Sequence, residues 1–152
     1  MGLFTAINIA SSGMAAERFR GDVIANNIAN ASTTRSDEGG PFRRSSVIVR
    51  PRVDTPYWRS PFLPQGLDNG VGQGVRVVGV QQDRSPNRLV YNPSHPDAIQ
   101  SGPRAGYVEM PNVDVVSEMA DMITASRAYE ANAAVIEASK MMFQRALEIG
   151  SR

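Results

Sequence analysis

The chain of 152 residues contains no cysteine. Disulfides and thiolate metal sites are therefore excluded, and redox chemistry says nothing about the compartment. His95 is the single histidine and Lys140 the single lysine. Aromatic residues make up only 7% and apolar residues 41% of the chain, somewhat below the globular norm. That leaves little core-forming material for a self-sufficient enzyme domain. No apolar run approaches the roughly 18 residues that a membrane-spanning helix needs. The opening Met1-Gly2-Leu3-Phe4-Thr5-Ala6 lacks a basic n-region and a signal-peptide apolar stretch. Ala6 stands where myristoylation expects Ser or Thr. These absences predict a chain that stays in the cytoplasm or leaves by a route without a cleaved signal.

Proline is absent from both ends. All ten prolines lie between Pro41 and Pro111. This partition predicts a helix, an irregular or β middle, and a second helix. The fold class is α+β: long N- and C-terminal helices form a coiled-coil-like helical domain, with a small β-rich middle domain and a long irregular loop. The expected boundaries are 1–34 for the N-terminal helix of the helical core, 35–110 for the middle domain and 111–152 for the C-terminal helix.

The first helix is expected from about Leu3 to Asn30. Leu3, Ile7, Ala10, Met14, Ile24 and Ile28 recur at alternating spacings of four and three, with Glu17 and Gly21 interrupting at the centre. Small residues crowd its first half, so it depends on partners for burial. The run Asn30-Ala31-Ser32-Thr33-Thr34 ends it, because short polar side chains compete for the backbone. The second helix starts after Pro111, with Asn112 or Asp114 as N-cap. Glu118 and Asp121 follow in its opening turns, where the helix dipole favours negative charge. Val115, Met119, Met122, Tyr129, Ile136, Phe143 and Leu147 share the same four-three stripe, and Gly150 fits the position just past the end. A second apolar line holds Val116, Ile123, Val135, Met142 and Ile149. One partner helix covers one stripe, so this width predicts packing on several sides. A simple hairpin covered by the middle segment is the plainer alternative. The two main stripes together form the candidate assembly interface.

Three short strands are expected, at 46–50, 75–80 and 88–91, where β-branched or apolar runs lie between turn residues. Residues 53–70 hold Pro56, Pro61 and Pro64 around Tyr57, Trp58 and Phe62 and read as a long loop.

No motif of catalysis or cofactor binding emerges. Gly70, Gly72 and Gly74 lead into a strand, whereas phosphate binding needs a helix N-terminus after the glycines. His95 sits in the turn composition Asn92-Pro93-Ser94-His95-Pro96-Asp97, without a ligand cluster. Ser12, Ser126 and Ser139 have no helix-borne His partner. The chain is read as a non-enzyme without cofactor or metal. Arg43, Arg44, Arg50, Arg52 and Arg59 form a basic stretch with Phe42, Tyr57 and Trp58 nearby, diluted by Asp37, Glu38 and Asp54. That balance argues against a nucleic-acid surface. It suits a subunit contact or an anionic polymer such as a peptidoglycan strand. Asn26, Asn27 and Asn30 are expected as polar contacts that fix helix register. The alternatives are another coiled-coil assembly protein or a nucleic-acid-binding adaptor, and the net acidic C-terminal segment weighs against the latter.

Longer motifs point further. Ala10-Ser11-Ser12-Gly13-Met14, then Arg18, then Val23-Ile24-Ala25-Asn26-Asn27-Ile28-Ala29-Asn30-Ala31 form one N-terminal signature. Gly74-Val75-Arg76-Val77, Val90 through Ala98, and Gly106-Tyr107-Val108-Glu109-Met110-Pro111-Asn112-Val113 follow in order. Arg127-Ala128-Tyr129-Glu130-Ala131-Asn132 and Ala146-Leu147-Glu148-Ile149-Gly150 complete the set. Together they resemble the bacterial flagellar basal-body rod proteins, and among them the proximal rod subunits. Most rod and hook relatives continue with a Thr-Pro-Gly-Tyr type sequence. Here Thr33-Thr34-Arg35 and then Gly39-Gly40-Pro41-Phe42-Arg43-Arg44 stand instead, a departure that is itself similar to the proximal subunits. The resemblance implies a structural subunit of the periplasmic rod, assembled helically to transmit motor torque. It implies export through the flagellar type III apparatus without a cleaved signal. Implied partners are copies of itself, other flagellar rod proteins and the rod-to-export-gate adaptor. Residues 53–70 are where the resemblance is weakest.

Overall fold

The computed structural model describes residues 3–36, 39–52 and 72–150. Six elements follow in order: α1 (Leu3–Ala29), β1 (Ser45–Pro51), β2 (Val75–Gln82), β3 (Arg88–Tyr91), β4 (Tyr107–Met110) and α2 (Val115–Gly150). This is the expected α+β arrangement of two long helices around short antiparallel strands. The proline-rich loop expected at 53–70 lies outside the described residues, as do Asp37, Glu38, Asp54 and Arg59.

The helix ends follow local chemistry. At the C-terminus of α1, the Asn30 side chain donates to the Asn26 carbonyl and to Asn26 Oδ1, both at 3.0 Å. Thr33 Oγ1 then donates to Asn30 Oδ1 at 3.2 Å. The backbone leaves the helical pattern at the same place, with Ala31 N–H donating to the Ile28 carbonyl at 3.2 Å and Thr33 N–H to the Asn30 carbonyl at 3.1 Å. Asp114 caps α2, its Oδ1 accepting the Val116 N–H at 3.2 Å. The other candidate cap, Asn112, holds a strand instead. Its Oδ1 accepts the Arg44 N–H at 2.8 Å. At the far end, α2 runs through Gly150 rather than stopping before it. Gly150 is not among the glycines with positive φ, so no left-handed cap forms there.

The helices are antiparallel. Phe4 meets Phe143 edge to face at 6.1 Å, and Asn27 meets Glu118 near the other end. α1 is about 40 Å long and α2 about 54 Å at 1.5 Å per residue. Past the Phe143 contact, α2 continues for about 10 Å.

β1 and β2 pair antiparallel, with Val47 opposite Val80 and Pro51 opposite Val75. The register shifts between Ile48 and Val49, leaving Val78 as the bulged residue. β3 and β4 form a second two-stranded sheet, with Tyr91 opposite Tyr107. β4 is absent from the sequence-based expectation.

Two anchors lay the β1–β2 hairpin along α1. Asn27 binds the Ser45 backbone, and Ser12 Oγ accepts the Val75 N–H at 3.1 Å. From Ser12 to Asn27 the helix rises about 22 Å. From Ser45 to Pro51 the strand advances about 20 Å. Helix and hairpin thus have matching spans between anchors. Gly74 allows the close approach at the Ser12 end: its φ is 95°, and a Cβ there would overlap the Ser12 hydroxyl.

Buried apolar residues are mostly small: Ala10, Ala16, Ile24, Ala98, Val108 and Ala125. Many larger ones remain outside, including Val116 at 76% and Ile149 at 79% exposure. The internal core of the described residues is thin, as the small-residue composition of α1 predicts.

Candidate functional site

Two features stand out: a buried polar hub that joins the layers, and an exposed apolar surface along the helices.

The hub centres on Asn27 and Glu118, each 1% exposed. The Asn27 amide donates to the Ser45 carbonyl at 2.8 Å and to Glu118 Oε2 at 2.9 Å. Its Oδ1 accepts the Ser45 N–H at 2.9 Å. Both amide protons and the carbonyl are used, so the buried side chain is satisfied. Glu118 Oε1 accepts from Arg44 Nε, and Arg44 Nη2 donates to Asp121 Oδ2 at 3.3 Å. The bond to Glu118 raises the Arg44 pKa against the opposing effect of burial. Arg44 also connects backward through its main chain. Asp83 N–H donates to its carbonyl at 2.7 Å, and Asn112 Nδ2 reaches the Asp83 carbonyl at 3.3 Å. One network therefore fixes α1, the start of β1, the exit of β2 and the start of α2. Its chemistry is positional. Its buried amide and carboxylate are held by neighbours, and no nucleophile stands beside a base among these residues.

Asn27 plays the helix-register role expected of it. Asn26 and Asn30 instead bond to each other within the end of α1. Arg44 belongs to the hub, so the basic stretch is not one free face. Arg50 and Arg52 are exposed and Arg43 half-buried. His95 takes part in a turn, its Nδ1 accepting the Asp97 N–H at 3.1 Å. Asp97 accepts from Thr34 Oγ1 at 2.7 Å and pairs with Arg35 at 3.5 Å. No group of three metal-ligating side chains exists among the described residues. None of the described helices is long and apolar enough to cross a membrane.

The candidate interface residues divide by exposure. Ala10 and Ile24 are buried within the chain at 3% and 5%. Ile7, Met14, Ile28, Val115, Met122 and Ile136 are half-buried. Met119, Tyr129, Phe143 and Leu147 are exposed. Leu3 begins α1, and its side chain lies outside the described atoms. The remaining apolar residues are more open: Val116, Ile123, Val135, Met142 and Ile149 are all exposed and spread over nearly the whole length of α2, with Val116 and Ile123 on one line and Val135, Met142 and Ile149 on another about a third of a turn away. Midway along the helices lies a groove of about 340 Å³, lined by Glu17, Arg18, Gly21, Met122, Ser126 and Tyr129. Gly21 supplies the gap, with only Met122 Sδ within 4 Å of where its Cβ would stand.

The motif-bearing segments coincide with these features. Residues 7–35 match the family described as flagella basal body rod protein. Residues 104–149 match the flagellar basal body rod FlgEFG protein C-terminal family. The flagellar basal-body rod protein FlgC of Borreliella burgdorferi is 60% identical over 149 residues, covering 98% of each chain. The chain belongs to the FlgC family of flagellar basal-body rod proteins. The FlgC proteins of Bacillus subtilis and Salmonella typhimurium are 38% and 37% identical, each over 99% of both chains. FlgC membership makes this chain a structural subunit of the flagellar basal-body rod. Asn27 and Ser12 lie inside the first matched segment and Glu118 inside the second, so the hub joins the two family-bearing ends.

Proposed function

We propose that this chain serves in the proximal, periplasmic part of the rod and passes motor torque toward the hook. Residues 1–34 and 111–152 form its helical core within the tube wall, and 35–110 its middle domain outside. The exposed apolar residues of α2 carry this reading. A helix that leaves Val116, Ile123, Val135, Met142 and Ile149 in water gains stability when neighbours cover them, at roughly 25 cal/mol per Å². Ordering costs offset part of that gain, and a regular array shares it over many copies.

The interface comprises the exposed members of both stripes, with Met119, Tyr129, Phe143 and Leu147 at its centre. Ile7, Met14, Ile28, Val115, Met122 and Ile136 line its inner edge, and Ala10 and Ile24 support it from beneath. Neighbours are copies of this chain, other rod proteins and the rod-to-export-gate adaptor. The chain reaches the rod through the flagellar type III export apparatus, without a cleaved signal. It acts mechanically, with neither catalysis nor cofactor. The hub suits load transfer, because it couples the strands to both helices through bonds with little freedom. The exposed Arg50 and Arg52 offer an outer contact to a peptidoglycan strand.

The test is complementation of a deletion strain with Ile123→Asp or Val135→Asp. Secreted or cellular protein at normal level, with loss of rods beyond this subunit, supports the proposal. Normal motility with either variant overturns the interface.

A further inference from the structure

We propose that the projecting end of α2 from one copy docks in the Gly21 groove of the next, with Arg145 of the first pairing with Glu17 of the second. The inference rests on the rod-subunit reading and names a contact within it.

The groove has a defined chemistry. Its floor is largely apolar, from Met122, Gly21 and the Tyr129 ring, and one wall carries Glu17. Glu17 Oε2 is shielded from solvent and accepts no hydrogen bond from the described residues, while the side chain as a whole is 25% exposed and open to a cation from outside. Arg20 stands 4.0 Å from it, a loose ion pair. A shielded carboxylate oxygen without a donor costs stability unless something supplies one. The floor accordingly calls for an apolar side chain, and the wall for a cation one helical turn away.

The end of α2 has that pattern. Met141 and Met142 are 55% and 57% exposed, and Ile149 is 79% exposed. Arg145 lies three residues from Met142 and four from Met141 and Ile149, on one helix face. It has no ion-pair partner among the described residues. Methionine adapts its shape to an irregular groove.

A chain cannot satisfy its own groove this way. Ser126 in the groove and Met142, at the base of the projecting end, belong to the same helix, about 24 Å apart. The contact must therefore be between copies. It joins two different surfaces, so it is head-to-tail and propagates rather than closing into a dimer.

The absence of native cysteine gives a clean test. Ser126→Cys chains and Met142→Cys chains are co-expressed in a deletion strain, and basal bodies are isolated and oxidised. The expected product is a disulfide-linked pair of this chain in the mixed sample, at least tenfold above either variant alone. Glu17→Arg lowers the yield at least tenfold, and Glu17→Arg in one chain with Arg145→Glu in the other restores it. Helix content by circular dichroism checks that each variant folds. Basal bodies that contain the chain but give no mixed pair overturn the docking and leave the rod-subunit reading intact. Equal linkage with Ser126→Cys alone, or linkage of that variant to a different rod protein, overturns it too. Unmodified chain missing from isolated basal bodies overturns both.

Discussion

The side-chain amide of Asn27 donates to the carboxylate of Glu118 across 91 residues of chain, and both groups are buried. This contact sets the register of the two helices. A one-turn slip would break it and leave one Asn27 amide proton and Glu118 Oε2 buried without a bond, which is unfavourable. The Asn27–Glu118 pair thus ties the first family-bearing segment to the second before any neighbour is present.

Arg44→Ala should be the most damaging single change in the hub. It strips the nearly unexposed Glu118 of its cation, a loss of about 3 kcal/mol by analogy with broken buried pairs. Glu118→Gln should cost less, because Arg44 is 30% exposed and keeps Asp121. Urea melts of the purified variants measure both. Equal loss in the two would place the burial penalty elsewhere.

Gly74→Ala should destabilise by more than 1 kcal/mol, from its positive φ together with the overlap on Ser12. Ser12→Ala removes one hydrogen bond and should cost about 1 kcal/mol. In the double variant the overlap is relieved but the φ strain stays. Thermal unfolding of the three proteins separates these contributions.

Gly21→Ala should raise the stability of the isolated chain by up to about 1 kcal/mol. Its backbone φ is not positive, and the new methyl meets only Met122 Sδ at 3.8 Å. The same methyl narrows the groove, so incorporation into rods should fall. Chemical denaturation and quantitative immunoblots of isolated basal bodies read the two effects. A rise in both would detach the groove from assembly.

The acid limb of stability should depend on Ser85. Its hydroxyl, at 2.6 Å, and then its N–H, at 2.8 Å, donate to Asp83 Oδ1 and hold that carboxyl below its ordinary value. A carboxyl depressed in the folded state contributes stability above its unfolded pKa, near 3.8. That contribution is lost as pH falls through the lower folded value. Ser85→Ala should flatten this dependence by lowering stability slightly at neutral pH and leaving it unchanged at the acid end, where Asp83 is protonated in both proteins, as melts across the acid range would show.

The helices were legible because the four-three spacing of apolar residues is a local signal and the proline partition marks its limits. Asn27 was legible as a register contact for the same reason, being a polar residue within a packed helix. Glu118 was not. Near a helix start it reads as a charge serving the dipole, and its burial depends on Arg44, which arrives from 74 residues away. β4 escaped because Tyr107–Met110 has only four residues and its pairing with β3 is not visible in either strand alone. Ser12 was weighed as a nucleophile and set aside for want of a base. Its use, holding Val75 against α1, needs the glycine at 74, which spacing does not connect to it.

The most direct test of the central claim is a density map of isolated basal bodies at side-chain resolution. Both terminal helices of this chain should line one tubular wall, antiparallel as in the single chain. Val116, Ile123, Val135 and Met142 should be covered by neighbouring subunits. A map in which this chain occupies the rod but leaves those residues of α2 open to solvent would contradict the account.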